Sequence, residues 1–268
     1  MKAKKLAAIH ANIGIEIQFR RKLERMLEEM HNSLDYWLSA AYKATPPTGL
    51  AQDASPAALI LKVMRKLSAR WRKKFNLSAK PMAEYYALAA KDRTDGALKA
   101  ALKKTGMTVE FKVTPEIQDI LTATVAQNVS LIKTIASEHL SDVEQMVMRS
   151  VQAGRDLGGL RKELQHRYGI TKRRAGLIAR QSNADATTAI TNARYKALGI
   201  VEAQWVHSNA GKTPRPEHVA WNGTMYNVEK GNWSKVSKKF VWPGTDFNCR
   251  CSSRGIVMSD NIATRVNG

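Results

Sequence analysis

Apolar residues at Leu6, Ile9, Ile13, Ile17, Leu23, Met26, Leu27, Met30, Leu34, Trp37 and Leu38 recur every third or fourth position. That period predicts an amphipathic helix from about Lys4 to Tyr42, bent near Gly14, whose apolar stripe is buried in the chain's own core. Pro46, Pro47 and Gly49 stop it, because proline removes a helical donor and glycine favours a turn. A second helix is expected from about Pro56 to Phe75, with Ser55 as N-cap and Pro56 in the first helical position. Residues 78–104 read as one or two short helices with a break at Asp92–Gly96. Met107–Val113 alternates and predicts a strand. Thr114, Pro115 and Glu116 form a helix start, and the pattern runs through Ile117, Ile120, Leu121, Val125 and Val129 towards Leu140. A further helix covers Ser141–Ala153, then Gly154, Gly158 and Gly159 form a joint. A short helix follows from Leu160 to Arg167, and Thr171 caps a long one from Lys172 to about Leu198, closed by Gly199.

Beyond Gly199 the helical period is lost. Val201–His207 predicts a strand containing Trp205, and Gly, Asn and Pro punctuate residues 208–257. The expected class is α+β: a mostly helical N-terminal and central region followed by a compact β-rich C-terminal unit. The expected organisation is a helical region over 1–112, a second domain over 113–258 and a tail over 259–268.

Charge adds a class of partner. Lys and Arg number 43 against 23 Asp and Glu, a formal net charge of +20. Such a surface repels copies of itself and attracts polyanions: nucleic acid first, then an acidic protein, then an anionic membrane. The densest run is Lys62, Arg65, Lys66, Arg70, Arg72, Lys73 and Lys74, with no acid between them. Lys62, Arg65, Lys66, Arg70 and Lys73 share a helical face and form the candidate polyanion contact, the alternative being a solvated helix end suited to the helix dipole. Lys4-Lys5 is not followed by an apolar run long enough for a signal peptide, and no segment has the roughly 20 apolar residues of a bilayer span. A chain made in the cytosol with no membrane partner is expected.

Candidate chemistry is sparse. Cys249 and Cys251 are the two cysteines, and a disulfide between them would close a strained ring. Zinc asks for four ligands, or three plus water, and the histidines lie far along the chain. The expected reading is therefore no metal, no cofactor and two small packing thiols; a zinc ion, if held, would take His218, Cys249 and Cys251. His207, His218, Asn222 and Asp246 contain the residue types of a nuclease or hydrolase, but spacing does not show convergence. Arg180 and Asn183 are adjacent on a helix surface, suited to holding a loop of the β unit. No phosphate-cradling glycine loop, dinucleotide fingerprint or nucleophile elbow occurs. No catalytic residue is assigned, and a metal-dependent nuclease, a transferase-like enzyme or a general basic DNA-binding protein stand as alternatives.

One family resemblance goes further. Asn128–Ile135, Arg173–Arg180, Ala193–Gly199 followed by Trp205, Arg215-Pro216-Glu217-His218, Asn222-Gly223, Pro243-Gly244 and Asn248-Cys249-Arg250-Cys251 occur in order over roughly Thr114–Val257. Together they resemble the phage Mu F-like head morphogenesis proteins, also called minor head or minor capsid proteins. The chain departs from that pattern at Gln181-Ser182, where an acid is common, and lacks a second cysteine pair found in some members. The resemblance implies a virion protein, in the phage head interior or at the portal vertex and in the host cytoplasm during assembly. The implied partners are the portal protein, the major capsid protein and packaged double-stranded DNA. Head assembly, with roles in DNA packaging and ejection, is the implied function. The family's suspected likeness to ADP-ribosyltransferases does not extend to a catalytic glutamate motif here. The resemblance also implies a bracing role for Arg180, Asn183, Trp205, His218, Asn248, Cys249, Arg250 and Cys251.

Overall fold

The computed structural model describes residues 3–44, 56–209 and 213–258. The expected turn at Pro46–Gly49, the Ser55 cap and the 259–268 tail lie outside the described residues. Helices dominate: α1 (Ile13–Ala44), α2 (Pro56–Lys103), α3 (Pro115–Gln152), α4 (Leu157–Ala197) and the short α5 (Pro216–Ala220). The strands are β1 (Ala3–Lys5), β2 (Glu202–Val206), β3 (Met225–Asn227), β4 (Asn232–Ser234), β5 (Lys239–Val241) and β6 (Ser252–Met258). The class is α+β, with the four long helices up to Ala197 and small antiparallel sheets built mostly from strands after it. No helix among the described residues is long and apolar enough to cross a membrane.

Several elements differ from the expected ones. Residues 4–12 are not helical. β1 pairs with β6, Ile9 bridges Ser253, and α1 begins only where the Asn12 side chain accepts the Ile15 N–H at 3.2 Å. Leu6 and Ile9 are buried from extended backbone, which the helical period did not distinguish. Residues 78–103 belong to α2, which continues through Pro81 and through Asp92–Gly96. That apparent break is bridged because Asp95 is buried in an ion pair with Arg194 and Thr94 bonds the Ala90 carbonyl at 2.7 Å. The pieces expected at 114–153 form one helix, and those at 160–198 another. Thr171 sits inside α4, its hydroxyl donating to the Arg167 carbonyl at 3.1 Å rather than capping a new helix. Gly199 ends α4 at φ 71°, with Ile200 N–H bonding the Tyr195 carbonyl and Gly199 N–H that of Lys196. Met107–Val113 forms no strand. Among the described residues no strand pairs with it, and Met107, Val109 and Phe111 pack into a core instead.

The chain divides into two compact units that cut across the expected 112/113 boundary. One unit comprises the described parts of Met1–Ile17, Glu84–Ala126 and Ala179–Gly268. Its four-stranded sheet has the order β1-β6-β2-β3, all antiparallel, and β4-β5 is a separate hairpin. The core holds Leu6, Ile9, Leu98, Leu102, Tyr195, Ala203, Trp205, Tyr226, Val228 and Val257. The other unit comprises Gln18–Ala83 and Gln127–Ile178, helical where described except for the turn at residues 153–156 between α3 and α4. There Phe19, Leu23, Leu27, Met30, Leu34 and Leu38 of α1 are buried at helical spacing. So are Ile60, Met64, Trp71 and Phe75 of α2, and Ile132, Ile135, Leu140, Val143 and Val147 of α3. Each such side chain stabilises by about 1.5–3 kcal/mol relative to exposure.

Candidate functional site

The site is built on β2. Alternation along the strand sends Ala203 and Trp205 inward, and both are fully buried. Around the Trp205 ring lie Trp221 at 4.8 Å, His218 at 5.2 Å and Tyr226 at 6.0 Å between ring centroids. Arg215 is extended and Pro216 takes the first helical position, so α5 starts abruptly and its third residue, His218, points inward. Only 2 % of His218 is exposed, and its ring stacks on Trp221 at 5.3 Å.

Both imidazole nitrogens of His218 are engaged. Nε2 lies 3.2 Å from an Asp246 carboxylate oxygen, while Nδ1 lies 3.4 Å from Cys249 Sγ and 3.8 Å from Cys251 Sγ. A carboxylate accepts, so Nε2 carries the proton and the Nδ1 lone pair faces the two sulfurs. Both cysteines are free thiols. They precede β6 rather than belonging to it. Asn248 turns the chain at φ 59°, Cys249 N–H bonds the Asp246 carbonyl at 2.8 Å, and Cys251 N–H donates to Cys249 Sγ at 3.4 Å. The hydrogen bond from Cys249, the Ser208 backbone N–H, the Trp205 side chain and the positive charge of Arg215 pull the Cys251 thiol down to about 7. The bond with Cys251 and burial push Cys249 up to about 12. Burial opposes charge on His218, but Cys249 and Asp246 together raise its pKa.

One face of α4 holds the loop that carries these groups. Arg180 donates to Asn248 Oδ1 at 2.8 Å and to Glu16 at 3.1 Å. Asn183 donates to the Asn12 carbonyl at 2.9 Å, so it holds the N-terminal segment and not the cysteine loop. The loop is held by Gln181, which directly precedes Ser182, the position of the family's missing acid. Its Oε1 accepts the Asn248 N–H at 2.6 Å, and its Nε2 donates to Asp185 at 2.8 Å and to the Gly244 carbonyl at 3.3 Å. Two turns on, Thr188 donates to the Pro243 carbonyl at 2.7 Å. A Cβ on Gly244 would sit 2.8 Å from the Thr188 hydroxyl, and its φ of 95° also requires glycine. Burial raises the Asp185 carboxyl to about 6, against the opposing effects of Gln181 and Lys239.

A cavity of about 710 Å³ opens beside the sulfurs, lined by His207, Arg215, His218, Asn248, Arg250 and both cysteines among others. His207 accordingly shares the cavity, with its N–H bonded to Asn222 Oδ1 at 3.0 Å. His207, His218, Asn222 and Asp246 thus lie in one region as two hydrogen-bonded pairs. Arg250 is exposed at the rim. The basic residues Lys62, Arg65, Lys66, Arg70 and Lys73 lie on α2 in the helical unit and are all exposed. Trp71 among them is buried, and Lys74 lies 4.8 Å over its ring while pairing with Glu29.

Sequence reasoning missed Gln181, Thr188, Glu16 and Asn12. A signal existed for the first two. Gln181, Asp185 and Thr188 recur at helical spacing on a helix otherwise rich in alanine.

The family model described as phage Mu protein F like protein matches residues 141–254. That stretch contains α4, β2, α5, the cysteine loop and the start of β6, so the resemblance to the Mu F-like family holds where the site is built. A protein of Haemophilus influenzae (strain Rd) described only as uncharacterized is 24% identical over 256 residues, covering 93% of this chain and 55% of its own length. The chain therefore spans about half of the curated relative it matches. No solved structure matches.

Proposed function

From the Mu F-like match at residues 141–254 as premise, we propose that the chain is a minor structural protein of a tailed-phage head. In this reading it docks at the portal vertex, acts in head assembly and accompanies DNA packaging and ejection. The observation that carries it is how the matched segment spends its polar residues. Arg180, Gln181, Thr188 and Asp246 are committed to backbone and side-chain bonds that fasten the cysteine loop to α4 and α5. That is bracing, as in a module that must survive assembly and internal pressure, and it argues for a non-enzymatic role. Mass spectrometry of purified particles of the phage that encodes the chain should detect it at a few copies per head. Particles that carry full DNA content without it would defeat the reading.

Packaged DNA is the second partner, supported by the exposed basic face of α2. If Lys62, Arg65, Lys66, Arg70 and Lys73 each neutralise a phosphate, changing all five to Gln should flatten the log affinity versus log salt slope by about 4.5. An unchanged slope would return that face to simple solvation. Salt-insensitive capture of purified portal protein would then assign docking to other surfaces.

A further inference from the structure

We propose that His218, Cys249 and Cys251 bind one zinc ion, with a fourth position open to the adjoining cavity. The ligand atoms of the three residues all lie within 4.8 Å of one another. In a tetrahedral site with Zn–S near 2.3 Å and Zn–N near 2.0 Å, neighbouring nitrogen and sulfur ligands stand roughly 3.6 Å apart. The observed 3.4 and 3.8 Å separations from Nδ1 to the two sulfurs bracket that distance.

The surroundings are those of a ligand set. Asp246 holds the far nitrogen of His218, which fixes the tautomer and turns the Nδ1 lone pair to the sulfurs. Cys249 Sγ accepts a backbone N–H from Cys251. The Trp205 ring lies 5.2 Å from that of His218, and its indole N–H is fully buried. Two sulfurs and an imidazole nitrogen of fixed tautomer, converging at this spacing, form a donor set that one metal ion completes. Two soft sulfurs and an imidazole select zinc over magnesium or calcium.

The fourth ligand is water or an exchangeable anion. The chain has no third cysteine, and residues 210–212 are Ala-Gly-Lys. His207 lines the same cavity but falls outside the ligand cluster, and its Nδ1 is engaged with Asn209 at 3.1 Å. Such an ion would cross-link α5 to the loop before β6 across 31 residues of short strands and turns, from His218 to Cys249. It would do so in a unit that has no disulfide among its described residues.

The test is metal analysis of the purified full chain, followed by cobalt substitution of the chelator-stripped protein. One zinc per chain is expected, and cobalt should give tetrahedral d–d bands with thiolate-to-metal charge transfer. Cys249→Ser and Cys251→Ser should each weaken cobalt binding by at least 100-fold, and circular dichroism would show whether each variant folds. Asp246→Asn keeps the ligands and should weaken binding by about 10–100-fold. His207→Ala should retain zinc. A folded chain that takes up neither zinc nor cobalt with its thiols reduced would overturn the proposal. So would zinc retained at full occupancy by the Cys249→Ser, Cys251→Ser double variant. Zinc lost from His207→Ala would overturn the open fourth position.

Discussion

The two units handle polar side chains in opposite ways. In the helical unit the ion pairs lie at the surface: Arg149–Glu163, Arg161–Asp35 and Lys74–Glu29 are all substantially exposed. Its interior is mostly apolar, and His139 and Asn128 are its most deeply buried polar side chains. In the sheet-bearing unit the polar groups are inside. Arg194 is 3 % exposed and forks onto both oxygens of Asp95 at 2.9 and 3.0 Å, Tyr226 donates to Ser253 at 2.6 Å, and the Tyr195 hydroxyl accepts the Gly255 N–H at 2.9 Å. Long helices satisfy their own backbones and need only an apolar stripe. Short strands and long loops leave backbone groups open, and side chains must answer them. A surface pair can be lost at little cost, whereas an inner partner cannot.

The sharpest test of that contrast is Arg194→Met. It leaves Asp95 buried with only Lys91 beside it at 3.3 Å, and also frees the Lys112 carbonyl. A loss of about 3–5 kcal/mol is expected in urea unfolding. A loss below 1 kcal/mol would mean the buried pair is not holding the unit.

His139 breaks the pattern within the helical unit, and pH reads it. Thr171 spends its proton on the Arg167 carbonyl, so His139 Nδ1–H donates to the Thr171 oxygen at 2.9 Å, and Nε2 is buried with no partner among the described residues. Burial first, then the charge of Arg167, lowers its pKa to about 4 from 6.5. The folded state holds the neutral ring, so the unfolded chain binds the extra proton. The contribution is fully present above pH 6.5 and is lost as pH falls from 6.5 to 4, on the order of 3 kcal/mol in all. Urea midpoints of the wild type should fall faster over that window than those of His139→Asn. Parallel curves would remove His139 as the cause.

Gln181→Ala sharpens the comparison at the site itself. It strands the Asn248 N–H and removes the donor to Asp185, so about 1–3 kcal/mol is expected, with faster hydrogen exchange at residues 244–251. A stability loss without that local exchange would place its effect elsewhere. The smallest effect belongs to Arg149→Ala. Its pair with Glu163 is half-exposed on both sides, and a change within about 0.5 kcal/mol is expected by the same unfolding measurement. A larger loss would show that the outer pairs of the helical unit carry more than solvated charge.

Legibility in the sequence followed the same division. The helical stripes were visible residue by residue, because burial on a helix repeats every three to four positions. Their lengths were not. Asp92–Gly96, Gly158-Gly159 and Tyr168-Gly169 all look like stops, yet each lies inside a helix, because tertiary packing outweighs a local cost of about 1 kcal/mol per glycine. Leu6 and Ile9 share the period of α1 but are buried from extended chain, since β6 offers them a strand edge. At the site, His218, Asn248, Cys249 and Cys251 stood out as motif residues. Asn183 was visible, but its partner turned out to be the Asn12 carbonyl. Gln181 was passed over because the family favours an acid nearby, and its role depends on a loop more than 60 residues away.

The sequence by itself determined that this is a basic, mostly helical chain with a β-rich C-terminal part and a Mu F-like motif order. These follow from composition, local periodicity and residue order, none of which needs a partner in space. Only the tertiary structure decided that β1 closes the sheet begun after Gly199, and that Gln181 and Arg180 hold the loop at Asn248. It also decided that one imidazole nitrogen faces two sulfurs while the other meets a carboxylate. Each of these joins groups distant along the chain, and hydrogen bonds and ligand sets depend on ångström distances that spacing along a sequence does not encode.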